Sequence, residues 1–178
     1  NFISNKKLMM DSIKIKLFDA ARTGNVATLK ELIDQRVNVN ITDDRGYSPL
    51  IVTCYNGHLD AAKLALGAHA DVNAQDGGGN SALMGVAFKG YPEIAEFLIE
   101  NGADINLQHG NGGTALMFAS LFGRNEVLKI LLKHGADKEI REQRGLTALD
   151  LAVQQGNVEG AVLLQQESGI LSKENASL

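Results

Sequence analysis

The sequence predicts an all-α solenoid: about five helix–turn–helix units of 33 residues with hairpin-like turns, laid side by side. Three observations predict it. Gly46, Gly79, Gly112 and Gly145 recur every 33 residues, and Gly24, Gly57, Gly90, Gly123 and Gly156 keep the same step. Two independent markers in one register mean that one structural unit has been copied head to tail. Within the unit, Ile94, Phe97 and Leu98 match Val127, Ile130 and Leu131 at the i, i+3, i+4 spacing of a helix with one buried face. A chain built this way has no single closed core, and its surface repeats with its interior, which favours an extended binding surface.

Each element of the unit has a local cause. The first glycine series lies in Asp44-Arg45-Gly46-Tyr47-Ser48-Pro49-Leu50 and its three copies, and suits a tight turn of positive φ. A hydroxyl follows two residues later, at Ser48, Ser81, Thr114 and Thr147. Such a side chain accepts from the free N–H groups of a first helical turn, a cap worth about 1 kcal/mol. Pro49 stands at a first helical position, where a missing N–H is harmless. A short inner helix then runs to the second glycine series. The outer helix follows, with Pro92 at the start of one copy and Gly102 and Gly135 closing two of them. Arg36 and His69 occupy that closing position in the earlier units, so a left-handed backbone there would be strained.

This unit resembles the ankyrin repeat. The resemblance rests on Ser48-Pro49-Leu50 in place of that family's Thr-Pro-Leu, and on His69-Ala70-Asp71-Val72-Asn73, Gly102-Ala103-Asp104-Ile105-Asn106 and Gly135-Ala136-Asp137. It covers about residues 12–168. A single repeat domain is expected over 12–170, divided as 12–45 (cap), 46–78, 79–111, 112–144 and 145–170 (cap). The end units are atypical: Ile13 stands where the first unit's turn glycine would be, and the last unit dissolves into Gln165-Gln166-Glu167-Ser168. Terminal repeats cover the open ends of a stack, so this is expected. Residues 1–11 read as a flexible N-terminal segment and 171–178 as a C-terminal tail.

Composition narrows the function. The net charge of −4 argues against a nucleic-acid partner, which wants a basic stripe, and mildly favours a basic protein surface. No apolar run approaches the roughly 18 residues of a membrane span. Cys54 is the single cysteine, so no intrachain disulfide forms. The cytoplasm is the default expectation, and export or a periplasmic location stays open because the chain begins at Asn1 rather than Met.

The chemistry-bearing residues do not assemble into a catalytic pattern. His58, His69, His109 and His134 never pair at helical spacing and do not flank Cys54 in a zinc-like pattern, so neither metal nor cofactor is expected. His109 reads as solvated in a hairpin tip, and Cys54 as a small buried residue in register with Ala87, Ser120 and Val153. The glycine-rich stretches 76–79 and 110–113 lack the Gly-Lys-Ser/Thr ending of a phosphate loop and fall on repeat turns.

The resemblance implies that the ends of the inner helices face a concave groove. Those positions hold Arg22, Tyr55 with Asn56, Phe88 with Lys89, and Leu121 with Phe122. With only nine aromatic residues in the chain, three on one expected solvent stripe point to anchors for a partner protein. The competing reading is that these rings fold down as half-buried packing. Hairpin tips add Arg45, Tyr47, Asn80, Asn111, Arg144 and Leu146 as a second line, with Arg45, Lys89 and Arg144 as polar rim. The expected function is a non-catalytic interaction module that scaffolds or regulates a partner protein, by inhibition among other routes. The alternatives are a recognition domain of a larger enzyme or effector, and a histidine-based metal or small-ligand carrier.

Overall fold

The computed structural model describes residues 2–166 and contains ten helices, with no strand among the described residues. They form five antiparallel pairs: α1 (Phe2–Thr23) with α2 (Val26–Asp34), α3 (Pro49–Tyr55) with α4 (Leu59–Gly67), and α5 (Ala82–Lys89) with α6 (Pro92–Glu100). The series continues with α7 (Ala115–Leu121) and α8 (Asn125–Lys133), then α9 (Ala148–Gln154) and α10 (Val158–Gln165). Odd-numbered helices pack on one another as an inner row, and even-numbered helices form an outer row. The core lies between the rows. One continuous apolar cluster runs from Leu50 to Leu164, and a smaller one joins Leu17, Ala20, Leu29, Leu32 and Ala61 at the N-terminal end.

The helix starts are capped as the sequence expects. Ser48, Ser81 and Thr114 accept from Ile51, Met84 and Met117 amides at 3.2, 3.3 and 3.4 Å, and all four cap hydroxyls are buried. In α9 the cap is reciprocal: the Thr147 hydroxyl accepts from the Asp150 amide, and the Asp150 carboxylate accepts from the Thr147 amide at 2.9 Å.

Adjacent units are joined by two backbone-directed ladders. Hairpins pair tip to tip, with Gly77, Gly110 and Gln143 amides donating to the Arg45, Gly78 and Asn111 carbonyls at 2.9, 2.9 and 2.8 Å. Gly79 is required here: it holds φ +84°, and a Cβ would lie 2.9 Å from the Gly110 nitrogen. The second ladder is made of asparagines. Asn40, Asn73 and Asn106 accept from the Asp71, Asp104 and Asp137 amides of the next unit at 2.7, 2.7 and 2.9 Å. Asn40 and Asn73 also donate to the His69 and Gly102 carbonyls. Every bond in both ladders links neighbours only, so inter-unit stability is a sum of local terms.

Arg36 and His69 hold φ +59° and +65°, the left-handed conformation of Gly102 and Gly135. One expectation needs correction. Residues 2–11 are continuous with α1 rather than without regular structure, and Ile13 lies inside that helix instead of at a turn. Once Leu17, Ala20 and Ala21 pin the helix to the core, each further residue adds one backbone bond, so helix propagates backwards through Lys, Leu and Met. This extension leaves Phe2, Ile3, Leu8, Met9 and Met10 exposed. The expected tail 171–178 and the end of the last unit beyond residue 166 lie outside the described residues.

Candidate functional site

A groove runs between the hairpins and the inner helices, and aromatic rings line it. Tyr55, Phe88 and Phe122 sit at the ends of α3, α5 and α7. The Tyr55 and Phe88 rings stack with centroids 6.1 Å apart, and Phe88 meets Phe122 edge to face at 4.6 Å. Both separations fall in the favourable range for aromatic pairs. Tyr55 and Phe122 remain 42% and 40% exposed, while Phe88 between them is half-buried. Both sequence readings therefore describe part of the arrangement: the rings pack on one another, and the outer two still face water.

Two cavities open in the groove. The larger, about 520 Å³, is lined by six of the residues singled out in the sequence: Arg45, Tyr47, Tyr55, Asn56, Asn80 and Phe88. The smaller, about 220 Å³, takes in Leu121, Asn111 and Arg144. Lys89 lies over the Tyr55 ring, its nitrogen 5.1 Å from the centroid, which is a cation–π contact. Arg22, Lys89, Phe122 and Leu146 line neither cavity.

Four residues behave differently from expectation. Arg144 donates to Glu142 at 3.1 Å, so its charge is neutralised within its own hairpin. Tyr47 and Leu146 pack against the core rather than standing free at hairpin tips. Arg22 is ion-paired to Asp19, and its carbonyl accepts from His58 Nε2 at 2.9 Å, tying unit to unit. Asn80 is likewise engaged, donating to both Asp76 oxygens at 3.1 Å.

His109 is not simply solvated. Its Nδ1 accepts from the Asn111 amide at 3.1 Å, and its ring lies 5.3 Å from Phe118. It does in the third hairpin what Asp43, Asp76 and Glu142 do in the others, bracing the turn by accepting from backbone N–H groups. Phe118, Met84, Gly85 and Val52 also line the groove and were missed. Their signal was available: Val52, Gly85 and Phe118 precede Tyr55, Phe88 and Leu121 by three residues, which places them on the same helix face.

Cys54 is fully buried, and burial pushes its thiol up to about 12, which removes the thiolate. Among the described residues no His, Cys, Asp and Glu cluster has the form of a metal site. No described helix is long and apolar enough to cross a membrane.

The family model for ankyrin repeats in three copies matches residues 17–109 and 83–174. The chain belongs to the ankyrin repeat family. Ankyrin repeats are generally protein–protein interaction modules and generally non-catalytic. The chain is similar to osteoclast-stimulating factor 1 of Bos taurus, 39% identical over 54 residues, which is 30% of this chain and 25% of that protein. The Danio rerio protein of the same name is 34% identical over 56 residues, 32% of this chain and 26% of that one. A Pseudomonas aeruginosa protein named for its ankyrin repeats is 39% identical over 49 residues, 28% of this chain and 29% of that one. The matched stretch thus spans only about a quarter of the length of these relatives.

Proposed function

We propose that this ankyrin stack binds a partner protein in its groove, without catalysis, and so scaffolds or regulates that partner. The observation that carries the reading is the aromatic run Tyr55–Phe88–Phe122, half open to water and set beside a cavity of about 520 Å³. Exposed rings beside a cleft are what protein interfaces use as anchors, because a large apolar area is desolvated with few rotamers to freeze. Arg45 and Lys89 supply a polar rim. A rigid stack preorganises this surface, which lowers the ordering cost of association.

The test is a Phe88→Ala, Phe122→Ala double variant. Affinity capture from the source cells with mass spectrometry identifies proteins held by the wild type and lost by the variant. Binding of such a protein, measured by titration, is expected to weaken by at least about 2 kcal/mol. Equal affinity for both forms, with matching circular dichroism spectra, removes the groove from the function.

A further inference from the structure

One residue stands out in the lining of the larger cavity. In the inner helices the groove-facing position that precedes the ring by one turn holds Val52, Gly85, Phe118 and Leu151 in successive units. Three of the five inner helices fill it with a bulky apolar side chain, and α1 carries Asp19 there. Gly85 leaves it empty, and Tyr55, Phe88 and Phe118 wall the space that results, with Met84 and Ile51 at its base. Gly85 is not explained by backbone geometry: it sits in mid-helix without positive φ, where glycine costs about 0.5–1 kcal/mol relative to alanine. It is not explained by crowding either, since a Cβ there would sit 3.4 Å from the Tyr55 ring, at ordinary contact distance. The glycine leaves this part of the pocket lining without a side chain, with the Tyr55 ring close against it.

The charge around the pocket leans positive, with Arg45 and Lys89 against one carboxylate, Asp76. Arg45 lines it and Lys89 caps the Tyr55 ring, and among the described residues neither has a carboxylate partner. The acid in the lining, Asp76, has its oxygens engaged by the Gly78 and Asn80 amides and by the Asn80 side chain. A chain of net charge −4 therefore presents two cations without ion-pair partners beside this pocket.

We infer that the pocket over Gly85 receives a bulky apolar side chain, aromatic by preference, from an acidic segment of a partner protein. The ring inserts between Tyr55, Phe88 and Phe118, and carboxylates beside it in the partner pair with Arg45 and Lys89. The local charge thus selects a partner opposite in sign to the basic one that the chain's overall charge favours. This inference rests on the groove being a protein-binding surface and names what that surface selects.

Three variants of the full chain separate the two. A displayed library of random twelve-residue peptides is selected on the wild type, and the winners are titrated against Gly85→Leu, Lys89→Glu and the Phe88→Ala, Phe122→Ala double variant. Gly85→Leu is expected to fold, because Leu151 and Val52 occupy equivalent places, and its melting temperature is expected to match or exceed the wild type. The winners are expected to carry an aromatic or large aliphatic residue flanked by Asp or Glu. They should lose at least about tenfold in affinity for Gly85→Leu and for Lys89→Glu. Should Gly85→Leu melt lower, Gly85→Ala keeps the fold and narrows the pocket, and a graded loss is then expected. Winners without acidic residues, or with undiminished affinity for Gly85→Leu, overturn the pocket while loss in the double variant leaves the groove standing. No enrichment at all, or binding equal in every variant, overturns both.

Discussion

Asn40 donates to the carbonyl of His69 at 3.0 Å, and Asn73 donates to the carbonyl of Gly102, one unit on, at 3.1 Å. The two helix ends are thus built alike, yet one carries an imidazole at φ +65° where the other carries glycine. A side chain in left-handed backbone costs about 1–2 kcal/mol. Glycine loosens the unfolded chain by about 0.4–1 kcal/mol, which offsets part of that. His69→Gly is therefore expected to stabilise by about 0.5–1 kcal/mol in urea melts, and Arg36→Gly to behave alike. Destabilisation would show that the His69 side chain makes a contact worth more than its strain.

Thr53 is 1% exposed, and its hydroxyl has no hydrogen-bond partner. The next unit has Val86 in the same register, equally buried. A lone buried hydroxyl costs about 1–3 kcal/mol, and valine matches threonine in shape. Thr53→Val is expected to raise stability by about 1 kcal/mol, read as a higher urea midpoint at constant slope. A fall in the midpoint would mean that the hydroxyl is satisfied in solution.

Asn73 bridges two units through both ends of its amide, so Asn73→Ala strands the Asp104 amide and the Gly102 carbonyl together. With about 1 kcal/mol for each bond, a loss of about 1–2 kcal/mol is expected. Asn73→Asp keeps the acceptor and forfeits the donor, so it should lose roughly half as much. Because units contact only neighbours, the unfolding transition of Asn73→Ala should also broaden. A sharp transition at the wild-type midpoint would remove this rung from the account of cooperativity.

Asp150 sets an acid limit. Its carboxylate accepts from the Thr147 amide and hydroxyl at 2.9 and 3.0 Å, which lowers its pKa below the ordinary 3.8, and the Arg141 charge acts in the same direction. The bond from His134 lowers Glu96 likewise, with a smaller share from Lys133. A carboxylate whose folded pKa lies below its unfolded one contributes stability above the unfolded value, lost as pH falls through the folded one. The melting temperature should be flat near neutrality and fall below about pH 4. Asp150→Asn should start lower and fall less steeply. Parallel curves for the two proteins would show that Asp150 does not carry this dependence.

The architecture was legible because its causes are local and repeated. Gly46 and its copies, the hydroxyl caps from Ser48 to Thr147, and the periodic apolar residues of α6 and α8 are each readable within a few residues. Recurrence at 33 then confirmed each by the others. The N-terminal extension of α1 was not legible, because its helicity depends on anchoring at Leu17 and Ala20 rather than on its own pattern.

The chain itself determined the repeat, its register, the left-handed turns at Arg36 and His69, and the row of rings at Tyr55, Phe88 and Phe122. Only the tertiary structure decided which charges stay uncompensated: Arg144 is neutralised by Glu142, whereas Arg45 and Lys89 are not. It also decided where the groove is hollow, since the space over Gly85 is bounded by Tyr55 and Phe118, one repeat away on either side. Local preference is encoded over a few bonds and repeats with the sequence. Free volume and charge balance belong to the gaps between units, and they exist only once neighbouring units have packed.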